Sequence, residues 1–139
     1  MTSQELEALK KAVDNDDPNA MFVYSEIIRG TNPQEATKYV ILAAQLGNPQ
    51  ACEKLGDMHL EKNDYDRAAH YFKIGAKAGI TDCAVKLSVL KMSWNETAAL
   101  RELEELAEMG AKSACVALAN YHKANGNRKE AAFWRSLIK

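Results

Sequence analysis

Three prolines, seven glycines and three cysteines among 139 residues leave little material for irregular loops or a disulfide framework. Cys52, Cys83 and Cys115 are odd in number and far apart, which also argues against a metal-ligand cluster. The opening "MTSQELEALKKAV" lacks an apolar core of signal-peptide length, and no later apolar run could span a bilayer. A cytoplasmic location with no membrane contact is therefore expected. A net charge of −1 is too balanced to imply nucleic acid. That balance conceals an asymmetry: residues 1–70 hold 7 Lys/Arg against 12 Asp/Glu, and residues 71–139 hold 11 against 7. β-branched runs are scarce, while Ala, Leu, Glu and Lys dominate, so an all-helical chain is expected.

What the sequence does contain is a repeat. "GNPQA" (47–51), "GITDC" (79–83) and "GAKSA" (110–114) each set a glycine four residues before a small residue, and "DPNA" (17–20) adds an earlier start. Ala20, Ala51, Cys83 and Ala114 thus keep one register, with a period of 31 or 32 positions. Each unit divides into two amphipathic helices. The first helices carry Ala51, Cys52, Leu55, Gly56 and His59, matched position for position by Ala114, Cys115, Leu118, Ala119 and His122. Ala20, Met21, Tyr24, Ser25, Ile27 and Ile28 form the packed face of the first unit, and Cys83, Ala84, Leu87, Ser88 and Leu90 that of the third. "NPQE" (32–35), "SWNE" (93–96) and "NRKE" (127–130) read as capping boxes that open second helices near 33–46, 95–109 and 128–138. A weaker start at "NDYD" (63–66) opens one near 65–78. Gly47, Gly79 and Gly110 are suited to ending the first three second helices.

The expected organisation is one repeat domain over residues 1–139. Residues 1–16 form a capping helix, followed by repeats at roughly 17–47, 48–79, 80–110 and 111–139, nine helices in all. The stretches "ACEKLGDMH", "DYDRAAHYFKIGAKAG" and "ITDCA" resemble the Sel1-like repeat, a relative of the tetratricopeptide repeat. Leu55, Gly56, His59, Ala68, Phe72 and Gly75 keep tetratricopeptide spacing. The resemblance covers nearly the whole chain and is strongest over 49–83. The hairpin loops lack the glycine-rich insertion usual in Sel1 units, and the first and third units lack the leucine–glycine pair.

The resemblance implies an α-solenoid of antiparallel hairpins whose first helices line a concave wall. Tetratricopeptide geometry would then place Phe22, Glu26, Arg29, Glu53, Asp57, Val85, Val89, Met92, Val116, Asn120 and Lys123 on that wall. Apolar positions on such a wall suit a protein or peptide segment. The competing reading buries some of those valines between neighbouring units. Homodimerisation through Trp134, Leu137 and Ile138 at the last hairpin is the alternative role.

Catalysis and cofactors are not expected. No phosphate loop or Ser/His/Asp arrangement occurs, and His59 and His122 are two repeats apart, roughly 20 Å for packed helix layers. The cysteines are expected to pack as small hydrophobes. Trp94, in a turn, and Trp134 are both expected to close off packing.

Overall fold

The computed structural model describes residues 1–138. Among these residues there are nine α-helices and no strand, all joined by short turns. Their contacts fall into two compact units that divide after Ala78.

The first unit contains α1 (Ser3–Asp14), α2 (Pro18–Ile28), α3 (Pro33–Gln45), α4 (Pro49–Glu61) and α5 (Tyr65–Lys77). Starts are strongly specified. The side chains of Thr2, Asp17, Asn32, Asn48 and Asp64 each accept a hydrogen bond from a backbone N–H of the following first turn. Proline occupies the first turn of α2, α3 and α4, where its missing N–H costs nothing. Asn32 Nδ2 donates to the Glu35 carboxylate at 2.9 Å, but the Asn32 backbone N–H donates to Ile28 O, so only one half of the expected capping box is made. Asn48 does more than cap: its Nδ2 donates to Asn19 Oδ1 at 2.7 Å while its Oδ1 accepts from the Ala51 amide. It is buried, so both ends of the amide are satisfied where water cannot reach.

The helices pair as α2–α3 and α4–α5 hairpins, and α1 packs against α2. Val13, Met21, Val40, Ala43, Ala44, Cys52 and Leu55 share one buried cluster. The small residues let helix axes approach, and aromatic pairs fill what remains. Tyr24 meets Tyr39 edge-on at 5.3 Å, and His59 stacks on Tyr71 at 5.7 Å. Gly56 lies directly against the Phe72 ring. A Cβ built there would lie 2.6 Å from the Phe72 ring, which is fully buried.

The second unit contains α6 (Thr81–Lys91), α7 (Glu96–Glu108), α8 (Lys112–Ala124) and α9 (Arg128–Ser136). Val85, Leu103, Ala107, Ala114, Cys115, Leu118, Ala119 and Trp134 form its buried cluster. Gly79 and Gly110 take φ values of +97° and +100°, as Gly47 does at +91°, so the three expected helix stops are left-handed turns. The register residues Ala20, Ala51, Cys83 and Ala114 are all buried, which explains why the repeat tolerates nothing large there.

Several local expectations are corrected. The cap of α7 is Asn95, accepting from the Ala98 amide, and not Ser93, whose hydroxyl donates back to Leu90 O. At α9 the Asn127 side chain makes no cap hydrogen bond. Ile27 is 43% exposed, although its spacing placed it on the packed face. Trp94 is 61% exposed and closes nothing.

The third hairpin carries a polar substitute for an aromatic. Tyr39, Tyr71, Glu102 and Trp134 share one register position, 31 or 32 residues apart. Where the other helices place a ring, Glu102 accepts from Ser88 Oγ at 2.9 Å and from Lys91 Nζ at 2.8 Å. Burial alone would raise this carboxyl. The hydrogen bonds from Lys91 and Ser88, with the Lys91 and Arg101 charges, outweigh it and hold the group below its ordinary value. A carboxyl depressed on folding stabilises the fold above its unfolded pKa, and the contribution disappears as pH falls through the folded value. Glu102→Gln is therefore expected to be less stable than the parent at neutral pH in urea denaturation. The difference should close on acidification below the carboxylate range; a difference independent of pH would refute the ion-pair account.

Candidate functional site

Each unit presents its first helices and the flanks of its hairpins, and the sequence-derived positions separate into three groups. In the first unit the α2 and α4 side chains are already engaged with one another. Lys54 donates to Glu26 and lies 5.8 Å from the centre of the Phe22 ring, while Arg29 pairs with Glu26 at 3.6 Å. The hydrogen bond from Lys54 is the main cause of a lowered Glu26 carboxyl pKa, against the opposing effect of desolvation. Phe22 is half-buried against the core cluster. Glu53 and Asp57 are likewise half-buried.

In the second unit Val89 and Val116 stand 44% and 43% exposed on α6 and α8, which pack together. Asn120 and Lys123 continue the exposed line along α8, and Met92 is half-buried at the end of α6. Val85 departs from expectation. It is 5% exposed, inside the cluster with Leu103, Ala114, Cys115 and Leu118 and not on the exposed wall. The cause is α6 itself, on which apolar residues surround the axis and no single packed stripe is defined. Trp134 closes off packing as expected and is not left open for a dimer contact. At 7% exposure it belongs to the core, while Leu137 is exposed and Ile138 half-buried. Its neighbour Phe133 is 53% exposed.

Two concavities among the described residues bear on the site. In the second unit a space of about 320 Å³ lies at the α6 and α8 starts, beside the 2.9 Å hydrogen bond from Ser113 Oγ to Asp82. In the first unit a space of about 370 Å³ opens between α3 and the α4–α5 hairpin. Ile41, Leu55, Met58 and Tyr71 supply its apolar, more buried side; Thr37, Gln45, His59, Lys62 and Arg67 supply its polar edge. Asp64 sits beside that edge, 3.6 Å from Arg67 Nε and 3.7 Å from His59 Nδ1. Sequence reasoning missed this pocket because its lining comes from three helices and lies off the first-helix wall.

Among the described residues, no group of three or more His, Cys, Asp or Glu side chains could hold a metal ion. His59 is committed to Tyr71 and Asp64, and His122 meets Tyr121 edge-on at 5.1 Å. The three cysteines are buried, and burial pushes the Cys52 thiol pKa up, away from a reactive thiolate. No described helix is long and apolar enough to cross a membrane.

Helix hairpins with a small-residue register, repeated every 31 or 32 positions, define the class as an α-hairpin repeat protein. The Sel1 repeat protein from Oxalobacter formigenes has this fold. Its crystal structure superposes with a TM-score of 0.69, covering 80% of this chain and 94% of that chain at 22% identity. At that identity it is the fold that is shared, and the fold is that of a Sel1-like repeat. No protein-family model matches the sequence, and no curated protein does.

Proposed function

We propose that the chain is a non-catalytic interaction module that binds a protein or peptide segment, with the α6–α8 face of the second unit as its contact surface. The observation that carries this reading is the exposure of Val89 and Val116 on two neighbouring first helices. Exposed valines at such positions do nothing for the hairpin, whose packed face is filled by Cys83, Ser88, Cys115 and Leu118. Apolar anchors flanked by Asn120 and Lys123 suit a segment that brings its own apolar side chains and an acidic or amide group. The corresponding α2–α4 face fits less well, because Glu26, Arg29 and Lys54 there satisfy one another.

Replacing Val89 and Val116 together by glutamate tests this reading. Substitutions at half-exposed positions shift stability by about 0.5 kcal/mol or less, so helicity and melting should be retained. Proteins captured by the parent chain and identified by mass spectrometry should be absent from the variant's eluate. An unchanged set of captured proteins would remove the α6–α8 face from consideration. Self-association through α9 is the weaker reading, since Trp134, its largest apolar side chain, is already buried.

A further inference from the structure

The pocket between α3 and the α4–α5 hairpin combines two kinds of surface that packing alone does not require. Ile41, Met58 and Tyr71 leave an apolar lining incompletely covered, and Lys62 and Arg67 stand exposed at its edge. None of the side chains lining it is a carboxylate. Asp64 approaches Arg67 through Nε, on one edge of the guanidinium, and a guanidinium has five donors to offer.

The chain contains its own control for this arrangement. The α7–α9 segment repeats α3–α5 in register, 63 positions further on, as His59 and His122 show. The packing residues are kept: Leu118 stands for Leu55 and Ala131 for Ala68, and all four are buried. His59 on the edge is kept as His122, but the lining's charge is not. Ile41 becomes Glu104, Gln45 becomes Glu108, Lys62 becomes Asn125 and Arg67 becomes Glu130. The same hairpin geometry therefore forms with the opposite charge, so the cations of the first copy answer to something other than the fold. A volume of about 370 Å³ falls within the range of ligand sites, roughly 300–1,000 Å³.

We propose that this pocket binds an acidic peptide segment, seating one apolar side chain against Ile41, Met58 and Tyr71 while flanking carboxylates meet Lys62 and Arg67. The site shares no residue with the α6–α8 face, so either surface can fail a test without the other. Carboxylate pairing with Arg and Lys supplies direction, and the apolar lining excludes a bare inorganic anion as the best-fitting occupant.

The test is fluorescence anisotropy of the full chain with a short labelled peptide of alternating glutamates and leucines. The parent should bind it saturably, and the same peptide with lysine in place of each glutamate should not bind. Lys62→Gln with Arg67→Gln should weaken binding at least roughly tenfold, and Ile41→Gln should weaken it comparably at unchanged charge. Both sets of positions lie outside the fully buried core, and circular dichroism checks that helicity is retained. Val89→Glu with Val116→Glu should leave the affinity as it was. Equal binding of the lysine peptide, no saturable binding by the parent, or an affinity indifferent to the Lys62 and Arg67 changes would each overturn the proposal. Full competition by millimolar inorganic phosphate, with Ile41→Gln without effect, would overturn it too by reducing the site to a phosphate contact.

Discussion

Gly56→Ala is expected to destabilise the protein although alanine is the better helix former. Within a helix the exchange ordinarily gains about 1 kcal/mol. Here the added methyl would lie 2.6 Å from Cε1 and 2.7 Å from Cδ1 of Phe72. That ring is fully buried in α5, so it has nowhere to withdraw. Overpacking of this kind costs about 1–3 kcal/mol, and the net sign should be unfavourable. The register shows how to reverse it. Ser25 and Ser88 occupy the Gly56 position in other hairpins, with Val40 and Leu103 at the position of Phe72. A side chain is thus tolerated opposite a smaller partner. In a Phe72→Leu background, Gly56→Ala should become neutral or favourable, giving a coupling of about 0.5–3 kcal/mol in a double-mutant cycle. Denaturant midpoints of the four proteins decide it, and additive effects would mean that the contact is not what requires glycine.

Leu103→Ala should cost more, about 2–5 kcal/mol. Leu103 is fully buried at the centre of the second unit's cluster, where the neighbouring α8 residues Ala114, Leu118 and Ala119 are too small or too well packed to collapse into the space. It stands next to Glu102, and the two make opposite demands on pH. The leucine's contribution is apolar burial and carries no proton, so the loss should be the same at neutral and acidic pH. The Glu102→Gln loss should fade on acidification. Running both variants through the same urea titrations separates core packing from the Ser88–Glu102–Lys91 cluster. A Leu103→Ala effect under about 1 kcal/mol would imply that the α7–α8 contact is far looser than its burial indicates.

The fold was legible because its most stringent demand falls on small residues. Ala20, Ala51, Cys83 and Ala114 are all buried between packed helices, and size limits of that kind survive in sequence as a strict register. Glycine stops after α3, α5 and α7 were legible for a similar reason, since a left-handed turn narrows the choice of residue. Surface assignments were less so. On α6, apolar residues occupy every side, and periodicity could not tell buried Val85 from exposed Val89 one turn later. Asn95 and Ser93 are both competent caps, and only the path of the chain through the turn decides between them. The pocket beside α3 was invisible because Ile41, Met58 and Arg67 lie on three helices and meet only after folding. Trp94 and Trp134 looked alike in sequence and ended at opposite extremes of exposure.

That last contrast has a practical side. Both tryptophans belong to the second unit, one in water at the α6–α7 turn and one inside the cluster. Excited at the red edge of the aromatic band, the protein emits from that unit alone, while the tyrosines of α2, α3 and α5 stay silent. Iodide should extinguish the long-wavelength component from Trp94 and spare the blue component from Trp134. The chain thus carries a built-in pair of optical probes, one reporting what touches the turn and the other whether the core beneath α9 is still closed.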